Sequence, residues 1–157
     1  MLILSEEEVR RLLQMEEVIE AVERALAALT LGRAQMPLRS RASVKGLGDI
    51  LSMSSLVEDL GIYTSKVVSI YPGNPEKGLP TINAALLAFD ASTGLPIAII
   101  SAGHLTAMRT GAISGVATKY LARKDSRNLA IIGCGVQART QAIAVSKVRR
   151  IERVRVY

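Results

Sequence analysis

The run NLAIIGCGVQARTQA, Asn128 to Ala142, joins three local signals without a gap. Leu129, Ala130, Ile131 and Ile132 form a short apolar segment of strand type. Gly133-Cys134-Gly135-Val136-Gln137-Ala138 then fits G-x-G-x-x-G/A, and a helix-compatible segment follows. In that pattern the first glycine permits a sharp turn, and the second lets backbone approach a pyrophosphate. A small third residue lets the helix pack on the strand. The helix N-terminus adds unpaired N–H groups and the positive end of its dipole. Strand, turn and helix in the right order favour a dinucleotide site over an ordinary strand-to-helix turn.

Outward from this run, the chain divides by period. Ser5 with Glu8 makes a capping box for a first helix, and a second is expected from about Met15 to Leu31, ended by Gly32. Its spacing predicts a buried face of Val18, Val22, Leu26 and Leu29. Period two then takes over, with strands expected at Met36–Val44, Asp49–Val57 and Gly61–Tyr71. A loop dense in turn formers, Pro72 to Pro80, precedes a hairpin of Thr81–Asp90 and Leu95–Ser101. A long helix from about His104 to Arg123 leads back to the glycine turn. The fold class is therefore α/β: an α+β N-terminal unit with a mostly antiparallel sheet, followed by the start of a Rossmann-type parallel sheet. Residues 1–127 are expected to form one domain with the linking helix, and residues 128–157 the first βαβ of a dinucleotide-binding domain. A mononucleotide-binding half needs βαβαβ, so the cofactor domain is expected to be cut short at Tyr157.

Composition narrows the function. The chain has 157 residues, 49% hydrophobic and 22% charged, which suits a globular domain with a real core. Aromatic residues make up only 3%, so base-stacking platforms for single-stranded nucleic acid are not expected. The net charge of +6 is concentrated near the end, at Arg139, Lys147, Arg149, Arg150, Arg153 and Arg155 against Glu152. These positions suit a helix end and an alternating strand, a solvated face and not a nucleic-acid or membrane patch. One cysteine and one histidine exclude disulfides, Cys-rich sites and multi-imidazole metal sites. No apolar run nears the ~18 residues that span a bilayer, so a cytoplasmic location without membrane contact is expected.

Two cations sit where apolar residues belong. Lys66 shares its strand face with Ile62, Thr64, Val68 and Ile70. It is either a desolvated acid/base or carboxylate-binding group, or an edge-strand lysine that reaches solvent. Arg109 interrupts the helical stripe of Leu105, Ala112, Val116 and Tyr120. A guanidinium there wants a bidentate oxyanion or a structural ion pair. Arg39 and Arg41, two apart on one expected strand face, are candidates for a carboxylate or members of a solvated basic face. His104 reads as local structure and Cys134 as a small filler of the turn.

Several segments together resemble the ornithine cyclodeaminase, mu-crystallin and archaeal alanine dehydrogenase family. They are Gln35-Met36-Pro37-Leu38-Arg39, Lys66 through Asn74, Gly78-Leu79-Pro80-Thr81, Thr93-Gly94-Leu95-Pro96, Leu105 through Thr110, Lys119 through Arg123, and Ile132 through Ala138. They cover nearly the whole chain. The resemblance implies an oxidoreductase using NAD or NADP on an amino acid, keto acid or cyclic imine, homodimeric through its N-terminal sheet. It implies acid/base work by Lys66, carboxylate binding by Arg39, and a place for Arg109 where substrate meets nicotinamide. It implies cofactor contact at Thr81, Arg109, Thr110, Gly133, Gly135, Val136, Gln137 and Ala138. Ser52-Met53-Ser54-Ser55 departs from the Met-Pro of many members. The family also extends past Tyr157 with a ribose-binding acid and a catalytic aspartate. A non-enzymatic, mu-crystallin-like ligand-binding or structural dimer is the alternative.

Overall fold

Alternation between Gly48 and Ser101 produces long strands that pair as neighbours in sequence. The computed structural model describes residues 1–157, in two compact units. The first comprises Met1–Arg11 with Ala27–His104, the second Leu12–Leu26 with Leu105–Tyr157.

The first unit is a seven-stranded sheet in the order β1-β7-β6-β5-β4-β2, with β3 also on β4. Its strands are β1 (Leu2–Leu4), β2 (Ala34–Gln35), β3 (Ser40–Val44), β4 (Gly48–Val57), β5 (Ile62–Ile70), β6 (Ile82–Asp90) and β7 (Pro96–Ser101). All pairings are antiparallel except β1 with β7. β1 escaped the sequence reading because three residues are too few to show a period. The strand expected over Met36–Val44 is split: Met36–Arg39 lies outside any strand, between β2 and β3. Pro37 has no N–H to give a ladder and restricts its predecessor. Arg39 and Arg41 therefore do not share a strand face. Gly48 is required at the start of β4, since a Cβ there would meet the Ile70 carbonyl at 2.3 Å and the Tyr71 ring at 2.9 Å.

Helix α1 (Glu6–Leu12) starts on the expected capping box. Ser5 Oγ–H donates to Glu8 at 2.6 Å, and the Ser5 amide donates to the same carboxylate at 2.8 Å. Glu6 reaches a different target, the start of helix α3 (Gly103–Leu121). Its carboxylate accepts the His104 N–H at 2.8 Å and the Ser101 hydroxyl at 2.9 Å. A carboxylate thus caps α3 from another element, satisfying an end N–H and opposing the dipole. Arg10 donates to His104 Nδ1 at 3.2 Å. A guanidinium can only donate, so Nδ1 is the acceptor and the proton sits on Nε2.

The second unit holds helix α2 (Met15–Thr30) up to Leu26, α3 from Leu105, strand β8 (Asn128–Ile131), helix α4 (Val136–Val148) and strand β9 (Arg153–Val156). β8 and β9 run parallel, from Asn128 opposite Arg153 to Ile131 opposite Val156. The core joins Met15, Ile19, Met108, Ala112, Val116 and Ala144. On α2 the buried stripe is Met15 and Ile19, with Val18 and Val22 at its margin and Leu26 exposed. The apolar arc of α2 is wide enough for two overlapping stripes, and packing chose the other one. A Cβ on Gly111 would lie 2.6 Å from the Thr140 carbonyl oxygen. One turn later, a Cβ on Gly115 would meet Ile19 at 3.1 Å and Ala144 at 3.3 Å. The C-terminus of α3 is closed by Arg149, which donates to the carbonyls of Lys119, Ala122 and Arg123 at 3.0, 2.8 and 3.1 Å.

Gly111→Ala should destabilise the chain by roughly 1–3 kcal/mol, because backbone cannot yield. Gly115→Ala should cost less, since Ile19 can rotate. Urea unfolding of both variants measures the difference. Burial first, and then Arg10, push the His104 pKa below its ordinary 6.5, with Glu6 opposing. The unfolded chain therefore takes up this proton first as pH falls. This contribution to stability is present above pH 6.5 and is lost below it, so His104→Gln should flatten the stability–pH curve there.

Candidate functional site

The glycine turn has the geometry its sequence implies. Gly133 adopts φ +97°, a left-handed value that side chains disfavour. Its N–H donates to the Tyr157 carbonyl at 2.7 Å, and the Tyr157 N–H donates to Ile131 at 2.9 Å, so β9 ties down the turn. Gly135 is the N-cap of α4, extended at φ −75°, ψ −171°, with no side-chain cap. The Ala138 N–H turns back to the Gly135 carbonyl at 3.1 Å. Space for a Cβ is open at both Gly133 and Gly135, with nothing within 4 Å. Cys134 and Val136 are exposed beside that space. The turn thus offers room and an uncapped helix end, the donor set an anionic phosphate needs.

Arg109, on α3 in the same unit, is half-buried, and its Nε–H is buried with no hydrogen-bond partner. Burial alone pushes the guanidinium pKa down. No carboxylate pairs with it, so the structural ion pair that would explain it from within the chain is not formed. On α4, Gln137 Oε1 is likewise buried without a donor. Thr110 turns its hydroxyl to the Thr106 carbonyl at 2.7 Å.

In the first unit, Lys66 is 9% exposed at the middle of β5. β5 is an interior strand between β4 and β6, so an edge-strand lysine reaching solvent is not what the sheet contains. Met53 and Leu86 stand directly opposite it on the two neighbours. Val68, Ala88 and Ala98 are buried on the same face. Arg39 is exposed and makes no hydrogen bond or ion pair. Arg41 is committed to Asp49 by two bonds of 2.9 and 2.8 Å, with the Ser43 hydroxyl on the same carboxylate at 2.7 Å. Ser43 first, and then Arg41, hold the Asp49 carboxyl below its usual range.

Thr81 immediately precedes β6, and its carbonyl accepts the Tyr71 N–H at 2.8 Å. It is five residues from Leu86, about 17 Å along the strand from the Lys66 row. The preceding loop folds through a short 3-10 turn, Asn74–Lys77, closed by Gly78 at φ +70°. Asn74 Nδ2 and Asn83 Nδ2 both donate to the Pro80 carbonyl, at 2.9 and 3.1 Å. The sequence showed this loop only as a cluster of turn formers and gave no sign of what its asparagines hold. No helix is long and apolar enough to cross a membrane.

The sequence profile of the ornithine cyclodeaminase/mu-crystallin family matches residues 1–157. The alanine dehydrogenase of Archaeoglobus fulgidus is 42% identical over 156 residues, covering 99% of this chain and 48% of that protein. A Delta(1)-pyrroline-2-carboxylate reductase of Bacillus cereus is also 42% identical, over 100% of this chain and 49% of its own length. Among solved structures, the Thermococcus litoralis Delta(1)-pyrroline-2-carboxylate reductase in complex with NADH and L-proline superposes with a TM-score of 0.97 at 53% identity, covering 100% of this chain and 49% of that one. An archaeal alanine dehydrogenase dimer with bound NAD gives 0.95 at 42%, covering 99% of this chain and 48% of that one. The chain spans about half the length of the curated relatives it matches.

Gly133→Ala should cost about 1–2 kcal/mol through its backbone angle alone. Gly135→Ala, with an ordinary φ and open space, should leave the denaturation midpoint unchanged.

Proposed function

The chain belongs to the ornithine cyclodeaminase/mu-crystallin family, and we propose that it forms the substrate sheet and dinucleotide turn of an NAD- or NADP-dependent oxidoreductase. The substrate is a small amino acid, its keto acid or a cyclic imine. One observation carries the reading: the two buried side-chain polar atoms without a partner are Arg109 Nε and Gln137 Oε1. Unpaired buried polar atoms are costly, and a bound ligand is one way such a cost is removed. Both residues belong to the set that the resemblance assigns to cofactor or substrate.

In this reading Gly133 and Gly135 let the backbone approach the pyrophosphate, and Val136, Gln137 and Ala138 offer the first turn of α4. Thr81, Arg109 and Thr110 complete the cofactor contacts. When bound, the nicotinamide supplies hydride transfer at the α-carbon. Arg39, unpaired and exposed, and Arg109 hold the substrate carboxylate and so orient the α-carbon, an effect of positioning. Lys66 moves a proton at the substrate nitrogen or at an attacking water. Its burial among apolar neighbours keeps bulk water from competing for that proton. Residues 1–127 serve substrate binding and oligomerisation, and 128–157 serve cofactor binding. A homodimer through the sheet face opposite Lys66 is supported by exposed Ile3, Val67, Leu87 and Ile97 on that face. The cytoplasm is the proposed compartment.

NADH fluorescence titration of this chain at low and high salt tests the cofactor half. Saturable binding that survives salt and disappears in Gly135→Asp is expected, and no saturable binding by the wild type would refute it. Lys66→Met should keep NADH affinity while lowering imine reduction or amino-acid oxidation by about a hundredfold or more. Undiminished turnover would remove Lys66 from its role.

A further inference from the structure

We infer that Asn74 and Asn83 are positioning residues for Thr81, fixing its peptide plane so that its N–H and hydroxyl are presented together to an acceptor oxygen of the bound dinucleotide. The inference rests on the cofactor reading above and adds two residues that neither the glycine motif nor the family resemblance assigned. Two carboxamides converge on one carbonyl, that of Pro80, at 2.9 and 3.1 Å. The chain contains no cis peptide bond, so the Thr81 N–H points away from the Pro80 C=O in the same plane. Holding that carbonyl from one side therefore aims the N–H toward the other. The next peptide plane is held too, because the Tyr71 N–H binds the Thr81 carbonyl at 2.8 Å. Asn74 is itself fixed, its own carbonyl accepting the Leu79 N–H at 3.0 Å.

What remains free at Thr81 is its amide N–H and its hydroxyl, neither of which bonds within the chain. A residue held on both flanks, with two adjacent donors unspent, is preorganised for an acceptor. A loop that merely needed closing has the Tyr71–Thr81 bond and the turn at Gly78 for that purpose. Two asparagines on one carbonyl are the additional feature.

Asn74→Asp and Asn83→Asp keep the shape of each side chain and remove the donor. In the unliganded protein each should shift the Thr81 amide resonance. Each should weaken NADH binding by about three- to tenfold, the value of one hydrogen bond. In a Thr81→Ala background neither should weaken it further, because the effect passes through Thr81. Equal weakening in both backgrounds, or an unmoved Thr81 amide, would overturn the inference. A wild type that binds no NADH would overturn the cofactor reading alone. The Thr81 amide, displaced or not by the two substitutions, would then still decide whether the asparagines position it.

Discussion

The second unit is built outward from the approach of α3 to α4 at Gly111, where no side chain separates the helix from the Thr140 carbonyl. Gly115 against Ala144 repeats the approach one turn later in the same direction, so the two helices run parallel. That fixes the axial relation of α3 to α4 and to the glycine turn that begins it. Small residues on α3 are thus a packing requirement. The apolar core of Met15, Ile19, Met108, Ala112, Val116 and Ala144 closes over the same contact.

Helix ends are treated unequally, and the difference bears on function. α3 has a carboxylate, Glu6, at its N-terminus and a guanidinium, Arg149, at its C-terminus, each from a distant part of the chain and each of the sign the dipole favours. α4 begins instead on Gly135, with no side-chain cap and open space before it. The fold can satisfy a helix end from afar and does so where α3 needs holding. At α4 the Val136 and Gln137 N–H groups stay available.

Polar side chains sort in the same way. Asp49 and Arg41 satisfy each other, as do Glu23 and Lys119, where the Lys119 Nζ lies 2.9 and 2.8 Å from the two carboxylate oxygens. Such pairs explain themselves. Arg109 and Gln137 do not, since each keeps a buried polar atom without a partner. Residues whose placement the fold alone does not justify are the ones the proposed chemistry uses.

Local rules made much of this visible in the sequence. The capping box at Ser5, the period-two strands from Gly48 to Ser101, the hairpin turn and the glycine turn each depend on residues close along the chain, and each stands where its pattern puts it. The misplacement of Lys66 and Arg109 was legible too, because a cation breaks an apolar period wherever the helix or strand eventually packs. Tertiary structure decided what no local pattern encodes. It made β5 an interior strand and buried the face that carries Lys66, and it chose between two apolar stripes on α2. It broke the expected strand at Met36–Arg39 and so separated Arg39 from Arg41. It brought Glu6 to α3 across 98 positions of sequence, and Asn74 and Asn83 to a single carbonyl. Sequence period reports which residues can share a face. Which partner that face meets is set by long-range packing, whose contacts leave no mark on neighbouring residues.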